Sequence, residues 1–275
     1  MKKQYRSLNL YQFYQIGREQ WLVQPNKARS LFVLLFGPLG VNARIRSARV
    51  INNINRLGLI SGYKILDVGC GHGYALFWLA RHYPLCEFTG LDINAKLIEN
   101  GRYIAKKLKL FNLSFIHDSA LNIDAEGQYD LIFSMDVLEH INNDINVLLN
   151  IRRALRPNGH LVLHLPRCHQ EVWTFFPAFR TYTTFDHVRD EYSVSEINDK
   201  LHQTGFEVKY FRYGYSKWGE LAFESNYLFW RLSILRTITA LILHPLSIWL
   251  AYQDIRQDYY DGNSFIIWAQ PANRD

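Results

Sequence analysis

A chain of 275 residues with 48% hydrophobic side chains is long enough for one main domain with additions and apolar enough to bury a core. Its three cysteines, at positions 70, 86 and 168, exclude a paired disulfide framework and lack metal-ligand spacing, which suits a reducing cytoplasm. The net charge of +6 conceals an asymmetry. Residues 1–58 carry ten Lys or Arg against one acid, Glu19, a balance of +9 that leaves −3 for the rest.

This basic arm comes first in the chain. It suits an anionic surface, either nucleic acid or the cytoplasmic leaflet of a membrane. The apolar run from Leu31 to Phe36, followed by Gly37-Pro38-Leu39-Gly40-Val41, favours the membrane, because bases would not need it. A handful of basic residues near an anionic bilayer, at about 1 kcal/mol each, would give reversible adhesion. The alternative is that the arm only covers one face of a sheet. The N-terminus shows no apolar stretch leading to a small-residue cleavage site, so no signal peptide is read.

The segment Ile65 to Tyr74 reads as a buried strand running into three alternate glycines, Gly69, Gly71 and Gly73. Glycines there give a tight turn where backbone approaches a ligand without interference from Cβ, and the next helix aims its free N–H groups at the same place. A dinucleotide fingerprint needs its third glycine at position 74, where Tyr74 stands, and no Gly-Lys-Ser/Thr ending makes a P-loop. With Asp67 two residues before the first glycine, the stretch resembles the first motif of the class I S-adenosylmethionine-dependent methyltransferases. An ordinary strand-to-helix turn is the plain alternative.

Downstream strands supply acids at their ends. Cys86 to Leu91 leads into Asp92, one helix and one strand after Gly73. Leu113 to His117 leads into Asp118 and Ser119. Single strand-terminal Asp residues are usually caps or turn residues, but three after three consecutive strands form a pattern. The resemblance implies that Asp92 clasps the ribose of the methyl donor and Asp118 meets its adenine amino group. It extends the donor site to Asp67, Gly69, Cys70, Gly71, Gly73, Ile93, Ser119, Ser134 and Met135. The implied donor is S-adenosylmethionine, with S-adenosylhomocysteine as product.

A fourth strand, Leu131 to Ser134, opens into Met135-Asp136-Val137-Leu138-Glu139-His140. A helix over Asn142 to Leu155 follows, with Ile145, Leu148, Leu149 and Leu155 near helical period. The turn Arg156-Pro157-Asn158-Gly159 then forces the chain into the strand His160 to Leu165, proline blocking the helix and Gly159 accepting positive φ. The alternation of helix and strand predicts a doubly wound, mostly parallel sheet with ligands at the strand C-termini. The resemblance covers about Leu59 to Phe211 and returns at Phe265 to Ala269, and implies seven strands in a Rossmann-like methyltransferase fold.

Beyond the fifth strand, Trp173, Phe175, Phe176, Phe179, Tyr182 and Phe185 suit an apolar acceptor pocket or a small core under a lid. Ser193 to Glu196 is a capping box that begins a helix. The last two strands, Phe206 to Phe211 and Phe265 to Ala269, are separated by about fifty residues, too many for a structureless loop. Within them Leu232 to Tyr252 is nearly apolar, but Arg236, His244 and Pro245 argue against a membrane span, the proline by interrupting a helix. An interfacial helical hairpin, a lid or a homodimer contact remain. The expected organisation is a basic helical arm at 1–58, a donor-binding core at 59–213, an apolar helical insertion at 214–262 and a last strand with the C-terminus at 263–275.

Methyl transfer to an oxygen of high pKa needs positioning and a base. The candidates are His140, His164, His169 and His187, with His140 placed first and His187 and His169 retained beside it. Asp136, Glu139 and His140 also resemble the Glu-x-x-Glu-His metal motif of ubiquinone-pathway O-methyltransferases, with Asp for the first Glu. Leu-Glu-His is common in metal-free relatives, and no divalent ion is expected. Ser134-Met135-Asp136 in place of Asn-Pro-Pro-Tyr speaks against methylation of adenine in nucleic acid. The leading expectation is methyl transfer to an oxygen or carbon of a small lipophilic acceptor, in the cytoplasm and at a membrane surface. An RNA or protein methyltransferase that grips its target with the basic arm, and a non-catalytic scaffold, are the alternatives.

Overall fold

The computed structural model describes residues 7–38, 40–168, 191–231 and 236–272; for 226–231 and 236–242 only the backbone is described. Seven strands form one sheet: β1 (Lys64–Val68), β2 (Glu87–Asp92), β3 (Leu113–His117), β4 (Tyr129–Met135), β5 (Leu155–Pro166), β6 (Phe206–Gly214) and β7 (Ser264–Pro271). Their order is β3-β2-β1-β4-β5-β7-β6. The pairings from β3 to β5 are parallel, and β7 runs antiparallel between β5 and β6. The direction of winding reverses between β1 and β4, so a crevice opens at the C-terminal ends of those two strands.

Alternation along the strands sorts two cores. Ile65, Leu131, Phe133, Val162 and Ile266 pack on one face with the helices α3 (Val41–Leu57) and α4 (Tyr74–His82). Leu66, Val68, Ile132, Leu161, Leu163 and Ile267 pack on the other, with α6 (Asp144–Ala154) and α7 (Val194–Gln203). Between β2 and β3 runs α5 (Ala95–Lys107), capped by the Asn94 side chain on the Leu97 N–H. The expected cap at Ser193 is present, its side chain accepting from the Glu196 N–H at 3.1 Å.

Three local expectations fail. The segment expected as a turn, Arg156 to Gly159, lies within β5 as an irregularity in its pairing with β4. Gly159 is not among the glycines with positive φ. A Cβ there would lie 3.0 Å from the Arg156 carbonyl oxygen and 3.2 Å from that of Tyr129, so close backbone approach, and not handedness, favours glycine. Pro245 does not interrupt its helix, because α9 (Arg236–Ile255) runs through it. The lost N–H is tolerated where packing holds the helix, and beyond the proline α9 buries Ile248, Ala251 and Ile255 in the core shared with α3.

The arm consists of α1 (Leu10–Gln15), a 3-10 helix at Arg18–Val23, α2 (Lys27–Phe36) and α3. The insertion consists of α8 (Lys217–Arg231) and α9, packed on each other and on α3. Much of the arm's charge is turned inward. Arg44 is fully buried, and Arg49 pairs with Asp254 of α9 at 2.7 Å with both side chains buried. Arg56 donates to the Tyr210 hydroxyl, and Arg46 pairs with Asp136. The plain reading, that the arm covers a face of the sheet, holds for α3. Lys27 and Arg29 of α2 remain exposed. Among the described residues no single helix is long and apolar enough to cross a membrane. The bent pair of α2 and α3 passes by length and composition, yet α3 buries its apolar stripe on the sheet.

Candidate functional site

The glycine turn is left-handed at each of its three glycines, with φ of 74° at Gly69, 51° at Gly71 and 69° at Gly73. L side chains avoid that region at a cost of about 1–2 kcal/mol. The N–H groups of Gly69 and Cys70 donate to the Leu91 carbonyl at 2.8 and 2.9 Å, which fastens the turn to the end of β2. A Cβ on Gly69 would overlap Val137, whereas nothing lies within 4 Å of a Cβ on Gly71. At Gly71, therefore, the turn offers bare backbone to open space. Gln20 of the arm donates to the His72 carbonyl at 2.8 Å and holds the 3-10 helix against this loop.

Acids surround the turn. Asp92 accepts from the Gly71 N–H through Oδ2 at 2.7 Å and from the Asn94 N–H through Oδ1 at 2.8 Å, and each oxygen keeps further acceptor capacity. Asp67 is fully buried and neither of its carboxyl oxygens has a hydrogen-bond partner. Burial, and then the nearby Asp92, push its pKa well above the usual carboxylate range. Such a group is costly unless something fills its site. Burial also raises the Cys70 thiol, which excludes a thiolate role.

The remaining expected donor-site residues divide by exposure. Asp118 accepts from the Ser119 N–H at 2.7 Å and from Asn122 Nδ2 at 2.8 Å, both through Oδ1, and these bonds lower its pKa. Ser119 caps the short 3-10 turn Ala120–Asn122. Ile93 is 74% exposed at the crevice side of β2. Ser134 is buried and ties β4 to β1 by donating to the Val68 carbonyl at 2.7 Å, while Met135 packs half-buried on the α3 side. A buried unpartnered carboxyl, a glycine without Cβ contacts and a strand-end carboxylate one strand over fit a cationic, ribose-bearing donor such as S-adenosylmethionine.

Across Val137 from the turn lies a second polar cluster. Asp136 adopts φ of 51°, a strained conformation for a residue other than glycine and one that concentrates at functional sites. Its Oδ2 pairs with Arg46 of α3, and its Oδ1 meets His164 Nδ1 of β5 at 2.6 Å. His164 is buried and its Nε2 has no partner. Burial alone would raise Asp136, but Arg46 and His164 hold it well below the usual carboxylate range. Glu139, fully buried with both oxygens unpartnered, is pushed the other way by burial and by Asp136. Tyr215, also at positive φ, donates to Asn42 and is held well above its usual value by burial, then by Glu220.

His140 sits exposed at the end of the 3-10 turn Leu138–His140, next to the buried Glu139. His169, His187 and the aromatic run from Trp173 to Phe185 lie outside the described residues. Among the described residues no group of three His, Cys, Asp or Glu could hold a metal ion. Arg46 is the partner that sequence reasoning missed, since inside a basic arm it reads as surface charge. The available signal was strand alternation, which puts His164 on the same face as Val162 and hence toward α3.

A doubly wound sheet with a left-handed glycine turn at its switch point and acids at successive strand ends defines a Rossmann-like enzyme fold of the methyltransferase type. The methyltransferase domain family matches residues 59–211, more than half of the chain, and the chain belongs to that family. This bears out the resemblance drawn from the glycine motif. The chain is 29% identical over 131 residues to trans-aconitate 2-methyltransferase of Pseudomonas paraeruginosa (strain DSM 24068 / PA7), a match covering 48% of this chain and 46% of that protein. It thus spans about half the length of the curated relatives it matches.

Among solved structures, phosphoethanolamine N-methyltransferase 2 of Haemonchus contortus in complex with S-adenosyl-L-methionine superimposes with a TM-score of 0.60 at 17% identity. That match covers 99% of this chain and 59% of that one. The [4+2]-cyclase SpnF superimposes with a TM-score of 0.62 at 17% identity, covering 95% and 97%. Likenesses at this identity establish the fold alone, and a cyclase among them shows why function must be argued from the site.

Proposed function

We propose that this chain transfers the methyl group of S-adenosylmethionine to an oxygen or carbon atom of a small lipophilic acceptor at a membrane surface. The observation that carries the donor assignment is Asp67, a buried carboxyl with two unpartnered oxygens beside the open backbone of Gly71. Asp67, Gly69, Cys70, Gly71 and Gly73 would cradle the methionine end, and Asp92 the ribose. Ile93, Asp118 and Ser119 would meet the adenine, with Ser134 and Met135 closing the β4 side. When bound, the donor supplies an electrophilic methyl group, so the chain's own task is to align an acceptor and accept one proton.

The membrane reading is supported by the outward face of α2, where Leu31, Leu34 and Leu35 are exposed and Lys27 and Arg29 stand at the helix start. The burial of Arg44 and Arg49 and the pairing of Arg46 and Arg56 with Asp136 and Tyr210 weaken the case for a nucleic-acid grip. The test is incubation with methyl-labelled S-adenosylmethionine and a host lipid extract. Label should enter the lipid fraction, and label confined to RNA or protein would overturn the acceptor class. Asp92→Ala should weaken donor binding by calorimetry about tenfold or more, the loss of a hydrogen-bonded charged partner. Unchanged affinity would remove the ribose role.

A further inference from the structure

We propose that His164 Nε2 is the atom that takes the acceptor's proton during methyl transfer, with Asp136 and Arg46 as positioning residues. The inference rests on the methyl-transfer reading and adds to it an acceptor class: a protic group of the phenol or enol type, which needs a base, as opposed to a carboxylate, which does not.

Among the described residues the geometry points to His164. An imidazole whose Nδ1 lies 2.6 Å from a carboxylate oxygen carries its proton on Nδ1, and its Nε2 then bears the lone pair. That Nε2 is the one buried nitrogen in the cluster without a partner. Arg46 from α3 occupies the other Asp136 oxygen and fixes the carboxylate, while the Asp136 N–H donates to the His164 carbonyl at 2.9 Å. The other titratable groups of this cluster are placed differently. Asp136 has both oxygens engaged, by Arg46 and by His164, Tyr215 donates its O–H to Asn42, and Glu139 lies on the 3-10 turn Leu138–His140 and not on β5. His140 is exposed, whereas His164 is buried among the cluster.

The step balances. The acceptor's O–H bond breaks, its proton goes to His164 Nε2, and the oxygen's electron pair forms a bond to the methyl carbon. The carbon–sulfur bond breaks with its pair passing to sulfur. The products are a methyl ether, S-adenosylhomocysteine and an imidazolium that Asp136 stabilises, and the imidazolium then releases its proton to water.

Two measurements test this. Nitrogen-15 NMR of the imidazoles of the full chain at neutral pH, without donor, should show His164 protonated on Nδ1 and bare on Nε2, a preference lost in Asp136→Asn. Asparagine tolerates the left-handed backbone at 136, so that variant should fold. A proton on Nε2 in the wild-type protein would overturn the proposal. In the labelled lipid-extract assay, His164→Gln should lose about 100-fold or more in rate at pH 7 with donor affinity unchanged. The deficit should shrink as pH rises and the acceptor hydroxyl ionises by itself. A loss equal at all pH values, or none, would reduce His164 to a structural residue. Should His164→Gln fail to fold, Asp136→Asn carries the same pH test. Absence of label with the wild-type chain would instead overturn the lipophilic acceptor class, while the NMR result still decides the tautomer.

Discussion

The two ends of the crevice are built in different ways. The donor end is written in one short stretch, Asp67 to Gly73, with Asp92 and Asp118 supplied by the next two strands in the sheet. The proposed acceptor end and the helices behind it are assembled from afar: Arg46 reaches Asp136 across 90 positions, and Arg49 of α3 reaches Asp254 of α9 across 205. Backbone conformation and strand ends make the first. Side-chain pairs between the arm, the sheet and the insertion make the second. The difference predicts that the donor end tolerates loss of its surface charges, whereas the acceptor end depends on its ion pairs.

The largest effect should come from Asp254→Ala. Asp254 is fully buried, accepts from Arg49 twice through Oδ2 and, through Oδ1, from the N–H groups of Ser216 and Gly219 at the start of α8. Removing the side chain leaves Arg49 buried without its charged partner, with only the residue 254 carbonyl to donate to, which costs about 3–5 kcal/mol. As a control at the donor end, Lys96→Ala breaks an exposed pair with Glu99 and should cost under about 0.5 kcal/mol. Chemical denaturation of the two variants would break the comparison if the costs were alike.

The donor end was legible because its chemistry is local. Three glycines two apart can only be a turn in unusual backbone space, and an Asp closing each of two successive strands needs no knowledge of tertiary contacts. The acceptor end was half legible. His164 was only one of four candidate bases, strand alternation with Val162 went unused, nothing local said that an arginine in the arm would pair with Asp136, and His140 stood in the more recognisable motif. Pro245 and Gly159 were misread for a related reason. Each was assigned its commonest local effect, whereas the packing of α9 and the crowding of the Arg156 and Tyr129 carbonyls decided what they do.

The next effect is one of pH, where the arm meets the donor loop. Glu19 is buried on the 3-10 helix beside Arg81 at 3.4 Å, and its burial lifts its pKa to about 7 despite that arginine. The folded pKa lies above the unfolded one, so this group leaves stability untouched below about pH 4.5. As pH rises from there through 7 the unfolded chain gives up a proton that the fold retains, and stability falls. The loss reaches about 3 kcal/mol near pH 8. Glu19→Gln should remove that slope, seen as a melting temperature that declines less between pH 5 and pH 8 than the wild type's. An unchanged slope would mean that the arm opens and solvates Glu19 before the sheet unfolds, a looser attachment than the Gln20 bond to His72 implies.

The smallest effect sharpens the comparison most, because it lies where the two ends touch. Gly69 and Gly71 share the left-handed conformation, so alanine at either carries the same backbone penalty of about 1–2 kcal/mol. Their surroundings differ. A methyl group on Gly71 meets nothing, whereas one on Gly69 overlaps Val137, the residue following Asp136. Gly69→Ala should therefore cost about 1–3 kcal/mol more than Gly71→Ala, the range for overpacking a tight site. It should also disturb Asp136 and hence the imidazole signal of His164, which Gly71→Ala should leave in place. Donor affinity should fall in both. If Gly71→Ala moved the His164 signal as far as Gly69→Ala does, the two ends would be coupled through the whole loop and not through the single contact between Val137 and the turn.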